Sequence, residues 1–243
     1  MKTVKRIHVA LATCLAGLFA ISCQSEQTTA VIVNNEGILR EIMMMGELQA
    51  RANLKDYAET PNLYALGAIE GLAGEVLIMN GKPLNGQVMN DELQIQKTFD
   101  LKAALLVSSQ VAEWDTLELN TEISDITALQ EFIPSVFNEK PDQAFPFQII
   151  GDGGSLDWHV INAPAATERN HDAYKASGIS GNMSNKEVSI LGFYSEAHEG
   201  VFTHHGSYLH MHFIDNAEQT MGHIDGLKWS GEMKLLVPKA LKR

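Results

Sequence analysis

The chain has 243 residues, 45% hydrophobic and 20% charged, enough apolar material for one large domain or two small ones. Its 18 basic against 30 acidic residues give a formal net charge of −12, a field that repels phosphates and anionic lipid headgroups and argues against nucleic acid as a partner. Two cysteines, Cys14 and Cys23, exclude a disulfide framework.

At the N-terminus Lys2, Lys5 and Arg6 precede an apolar run from Val9 to Ile21, short for a membrane span and ending on small residues. Residues 1–22 therefore read as an export signal. The stretch FAISC at 19–23 resembles a bacterial lipoprotein cleavage site, with Ala20 where leucine is commoner; ordinary signal cleavage nearby is the alternative. That resemblance implies that Cys23 is lipidated and that the protein is exported to the cell envelope, touching the membrane only through the lipid anchor. Cys14 leaves with the signal, so no thiolate metal site is available and any metal must be held by histidine and carboxylate. Loss of three basic residues turns 18 against 30 into 15 against 30, a mature charge of about −15. An anionic substrate would need a local positive charge, such as a metal, to overcome that field.

Residues 23–30 form a polar tether, followed by VIVNN and then GILREIMMMGELQARANLKDYAET, whose apolar spacing predicts a mainly helical region with Met43, Met44 and Met45 as core filling. From Asn62 to Phe99 short apolar pieces punctuated by glycine predict strands, with Asn-Gly turns at 80–81 and 85–86. KAALLVSSQ predicts a buried strand and DITALQEFIPSVFN a helix capped by Ser124 or Asp125. FPFQIIGDGGSLDWHVINAP predicts two strands around a glycine turn, and residues 163–185 a loop. KEVSILGFYS, SYLHMHFID and GHIDGLKW are again strand text. The pattern is that of an α+β protein, two mixed β-sheet domains flanked by a few helices, divided into residues 31–140 and 141–243 with the histidines in the second.

In LHMHFI, strand alternation puts His210 and His212 on one face and Leu209, Met211 and Phe213 on the other. The loop DNAEQTMG is long enough to return the chain and bring His223 beside the pair. Three neutral imidazoles with an open fourth position suit a catalytic zinc. Spacing alone fits a solvated histidine-bearing hairpin equally well. His198, His204 and His205 follow no periodicity and read as surface loop positions or partners to the ligands, and His159 as a structural residue.

The run GFYSEAH through GSYLHMHFIDNAEQTMGHIDG resembles the α-acetolactate decarboxylase family, with its HxHF strand followed by a strand opening on Gly-His. LGAIEGLAGEVLIMNGK resembles a second block of that family far upstream, and the similarity covers roughly residues 38–238. The resemblance implies His210, His212 and His223 as zinc ligands, Glu75 as a carboxylate in the metal shell or handling protons, and a homodimer through the sheets. It implies zinc-dependent loss of carbon dioxide from a 2-hydroxy-3-oxo acid such as 2-acetolactate, giving acetoin. Ala68 stands where the family has threonine, no arginine occurs between Arg51 and Arg169, and the family's C-terminal glutamate has no counterpart before Arg243. The family's arginine falls near His159 or Ile161, so His159, Arg169 or Lys175 becomes the expected replacement. These departures leave open a relative that keeps the fold and metal as a binding lipoprotein of the envelope, or a metal-dependent lyase or hydrolase for another oxygenated small acid.

Overall fold

The computed structural model describes residues 30–241, so the export signal and Cys23 lie outside the described residues. The first sheet contains β1 (Val33–Glu36), β2 (Ala52–Asn53), β3 (Leu63–Ile69), β4 (Glu75–Met79), β5 (Lys82–Pro83), β6 (Asn85–Met89), β7 (Glu92–Gln96) and β8 (Lys102–Gln110). Their order is β1-β8-β3-β4-β6-β7, with β2 added to β8 and β5 to β4. β8 is buried from Ala103 to Ser109. Its unbroken apolar run follows from a sheet covered on both faces: Leu66, Leu77 and Val107 join the main core, while Ala65, Ile78 and Leu106 join a separate cluster behind it.

Three expectations for this half change. The long helical region shrinks to α1 (Leu39–Met45), because Gly46 adopts φ 68° and its N–H caps the Glu41 carbonyl, a left-handed turn that stops the helix. Met44 and Met45 are 79% and 70% exposed and fill no core; the short helix turns Leu39 and Ile42 inward instead. Asn80-Gly81 is a turn, with both residues at positive φ, but Asn85-Gly86 lies inside β6. Asn85 is fully buried and donates to the Thr98 carbonyl at 2.9 Å, and the reversal falls at Asn90-Asp91, both at positive φ.

The second sheet contains β9 (Trp114–Ile123), β10 (Phe145–Gly151), β11 (Gly154–Val160), β12 (Ile179–Ser184), β13 (Val188–Tyr194), β14 (Leu209–Asp215) and β15 (Met221–Pro238). Its order is β10-β13-β14-β15-β11-β12, with β9 on β15 and β15 also reaching β10, so the sheet curls back on itself. β10 and β11 therefore flank different stretches of β15 rather than each other. The two sheets part between Gln110 and Trp114, not near residue 140, because β9 pairs with β15 from Trp114 to Ile123. The two-sheet α+β architecture is as the sequence predicts. All ladders between these strands are antiparallel, so the sheets are not mixed in strand direction.

Helix α2 (Ile126–Ser135) is capped by Asp125, whose carboxylate accepts from Ala128 N at 2.9 Å, and buries Leu129 and Ile133. The expected loop at 163–185 holds a 3-10 turn, the short helix α3 (His171–Ala176) capped by Asn170, and β12. The main core gathers Phe147, Phe193, Met211, Phe213 and Trp229 of the second sheet together with Leu66 and Leu77 of the first. A third cluster of Leu39, Ile42, Leu72, Leu105, Ile161 and Tyr174 sits where α1 and α3 approach the two sheets, and it forms one wall of the site.

Candidate metal centre

β14 pairs with β13 over its whole length and is buried at all seven positions. Met211 and Phe213 point into the main core, and alternation turns His210 and His212 toward the first sheet. On the other edge His212 stands opposite His223, which in turn stands opposite His159, so imidazoles of three neighbouring strands form a row. Gly222 permits this approach: a Cβ there would lie 2.5 Å from the His159 carbonyl oxygen.

His210, His212 and His223 bring one nitrogen each within 4.8 Å of one another. His212 Nδ1 donates to the Val76 carbonyl at 2.9 Å, which leaves its Nε2 bare. That Nε2 and His210 Nδ1 are buried without a hydrogen-bond partner. Orphaned polar atoms in a core cost about 1–3 kcal/mol each, and here they converge on one point. Burial, reinforced by the neighbouring imidazoles, holds His210 and His212 well below the ordinary histidine range. The rings are thus neutral lone-pair donors, and the set fits a divalent cation that accepts nitrogen ligands.

Glu75 opens β4, opposite Ala68 and Gly86, and is 4% exposed. Its Oε1 accepts from Ile161 N at 3.1 Å and lies 3.9 Å from His159 Nε2; its Oε2 lies 3.7 Å from His212 Nε2. Burial pushes its carboxyl up to about 7, against the opposing pull of His159 and the Ile161 N–H. His159 Nδ1 bonds Asp225 Oδ2 at 2.9 Å, and Lys175 Nζ reaches the same oxygen at 2.7 Å. Although burial works against its charge, the close contacts from His159 and Lys175, with the His223 ring nearby, hold Asp225 well below the usual carboxylate range.

Glu75, His159, His210 and His223 line a narrow cleft between the sheets, with Leu39, Ile42, Leu72 and Leu105 as its apolar wall. Glu75, His159, His210, His212 and His223, all expected from the sequence, meet in this one place. Of the three expected replacements for the arginine, His159 lines it, whereas Lys175 is held by Asp225 and Arg169 is exposed. Ile161 contributes its backbone N–H and apolar side chain only.

His204 stands apart from its loop neighbours. Its ring is 5.2 Å from that of His223 and 6.1 Å from that of His210, and burial pushes it down to about 3. His198 turns away, bonded to Ser195 Oγ at 2.7 Å and stacked on Phe202, and His205 is exposed beside Glu199. His171 and Asp225 are additions that the sequence reading missed. Asp225 shares the face of His223 by alternation, a signal that was available; His171 arrives on α3, inside a stretch that reads as loop.

The family model described as Alpha-acetolactate decarboxylase matches residues 39–240. Among solved structures, a Staphylococcus aureus protein of unknown function described as similar to alpha-acetolactate decarboxylase is 18% identical, with a TM-score of 0.65 over 84% of each chain. The alpha-acetolactate decarboxylase of Bacillus subtilis strain 168 is 14% identical, with a TM-score of 0.66 over 85% of each chain. The acetolactate decarboxylase of Bacillus subtilis subspecies spizizenii is 16% identical, with a TM-score of 0.66 over 85% of this chain and 86% of that one. At these identities the likeness is one of fold. No curated protein matches the chain.

Proposed function

Because the chain belongs to the alpha-acetolactate decarboxylase family, we propose that it removes carbon dioxide from a small 2-hydroxy-3-oxo acid such as 2-acetolactate, releasing acetoin. The metal is zinc, held by His210, His212 and His223. The observation that carries this reading is the convergence of three buried imidazoles beside Glu75, whose Oε2 is 3.7 Å from His212 Nε2.

Held by His210, His212 and His223, zinc would supply Lewis acidity to stabilise the negative charge that develops on the substrate's oxygens. Neutral imidazoles suit that role, since thiolates would leave the ion less electrophilic. The chain's own groups do the rest. Leu39, Ile42, Leu72 and Leu105 exclude water and receive the substrate's methyl groups. Loss of carbon dioxide leaves an enediolate whose carbon needs a proton, and Glu75 delivers it, with His159 Nε2 at 3.9 Å to resupply the carboxyl. An arginine on the leaving carboxylate would contribute about 1.5–3 kcal/mol, or roughly ten- to a hundredfold in rate; its absence slows turnover without abolishing it. Export and a lipid anchor at Cys23 complete the proposal.

A second reading is favoured by one observation: among the described residues, no lysine or arginine lines the cleft. On that reading the chain binds a metal or small ligand at the cell envelope without decarboxylating anything. The test is to prepare the chain without its signal, measure bound metal, and follow acetoin formation from racemic acetolactate with and without chelator. Zinc together with chelator-sensitive acetoin supports the first reading; zinc with no acetoin selects the second; no divalent metal at all overturns both.

A further inference from the structure

A histidine that binds a metal through one nitrogen is aimed by whatever holds the other. For His212 that partner is the Val76 carbonyl, and for His210 it is the Phe202 backbone. Both are main-chain groups, fixed by the sheet and by the loop before β14. For His223 the nearest such group is a side chain: Asp225 Oδ1 lies 3.5 Å from His223 Nδ1, an ion-pair distance rather than a made hydrogen bond, two residues along β15.

The other Asp225 oxygen accepts from His159 Nδ1 at 2.9 Å and from Lys175 Nζ at 2.7 Å. One carboxylate thus joins β15, β11 and α3, and α3 carries His171 onto the cleft. His159, His223 and Asp225 also bring one donor atom each within 4.8 Å of one another, which could be read as a second cation site. Lys175 argues against that: its ammonium already sits 2.7 Å from Asp225 Oδ2, and its charge would repel a second cation on the same carboxylate.

Resting on the metal-centre reading above, we propose that Asp225 is a positioning residue, which aims His223 at the metal and couples that aim to the docking of α3 through Lys175. Two ligands are then set by main-chain carbonyls and the third by an adjustable carboxylate, so metal affinity responds to the segment covering the cleft.

The test compares wild type, D225N, D225A, K175M and the D225A/K175M pair, each loaded with zinc in competition with a chromophoric chelator. Cobalt loading gives a visible spectrum that reports ligand geometry, and thermal unfolding of the metal-free proteins controls for folding. D225A is expected to weaken zinc binding about ten- to a hundredfold and to shift the cobalt spectrum. D225N, which keeps the shape and one acceptor, should fall between it and wild type. K175M should weaken binding by a smaller factor and add nothing in the D225A background, as expected for groups acting through one another. Zinc affinity and cobalt spectra matching wild type in both D225N and D225A, with only the unfolding temperature lowered, would overturn the proposal. Failure of wild type itself to bind zinc would instead remove the metal-centre reading on which it stands.

Discussion

The two walls of the cleft are built differently. The second-sheet wall is polar and rigid: His159, His212 and His223 sit across three hydrogen-bonded strands, with His210 on the same strand as His212. The first-sheet wall is apolar, with Ala68 and Leu105 beside the α1 residues Leu39 and Ile42, and it offers one ionisable group, Glu75. The polar wall can hold an ion without help from the other. A carboxylate set among hydrocarbon cannot bind an ion alone, but it is held where a proton is needed. On the proposed function, metal capacity and proton handling therefore come from separate sheets, and the reaction would require the sheets to be in register with each other.

The largest effect that would break this division is on the polar wall. His212→Ala should remove zinc retention on dialysis and take acetoin formation below detection, because it deletes the ligand whose direction the Val76 carbonyl fixes. Zinc retained at the wild-type level would place the ion elsewhere. Glu75→Gln tests the apolar wall. Its amide oxygen can still accept from Ile161 N, so zinc content should hold while turnover falls about 10²- to 10⁴-fold. Zinc lost in this variant would make Glu75 part of the cage rather than a proton carrier.

Phe213→Ala sharpens the comparison by changing the opposite face of the histidine strand. Phe213 is fully buried in the main core, so the change should destabilise the protein by about 3–5 kcal/mol in urea unfolding, with the zinc equivalent unchanged below the transition. The smallest effect is expected outside both walls: Met44→Ser, at a side chain 79% exposed, should shift stability by less than about 0.5 kcal/mol and leave turnover unchanged.

The hairpin was the most legible part of the molecule. Alternation in LHMHFI assigns each side chain to a face before any partner is known, and the spacing to His223 suits a return strand. The α2 cap was legible for the same reason: Asp125 acts on an amide three residues away. Asn85-Gly86 misled because its conformation is decided by a distant buried acceptor, the Thr98 carbonyl. Of the methionine run only Met43 packs against a core cluster; Met44 and Met45 misled because Gly46 ends the helix before a second apolar turn can form. β9 was missed, although WDTLELNTEI alternates, because its half-exposed pattern gains meaning only once β15 lies beside it.

By itself, then, the sequence determined what neighbours along the chain can enforce: strand faces, caps, the pairing of His210 with His212, and the family motif around them. Only the tertiary structure decided which distant groups share the cleft. It set Glu75 against His212, brought Lys175 and His159 onto one oxygen of Asp225, and carried His171 in on α3. Contacts of that kind depend on how two sheets and an inserted helix pack. Packing sums many weak dispersion contacts over surfaces far apart in sequence, and no local pattern encodes that sum.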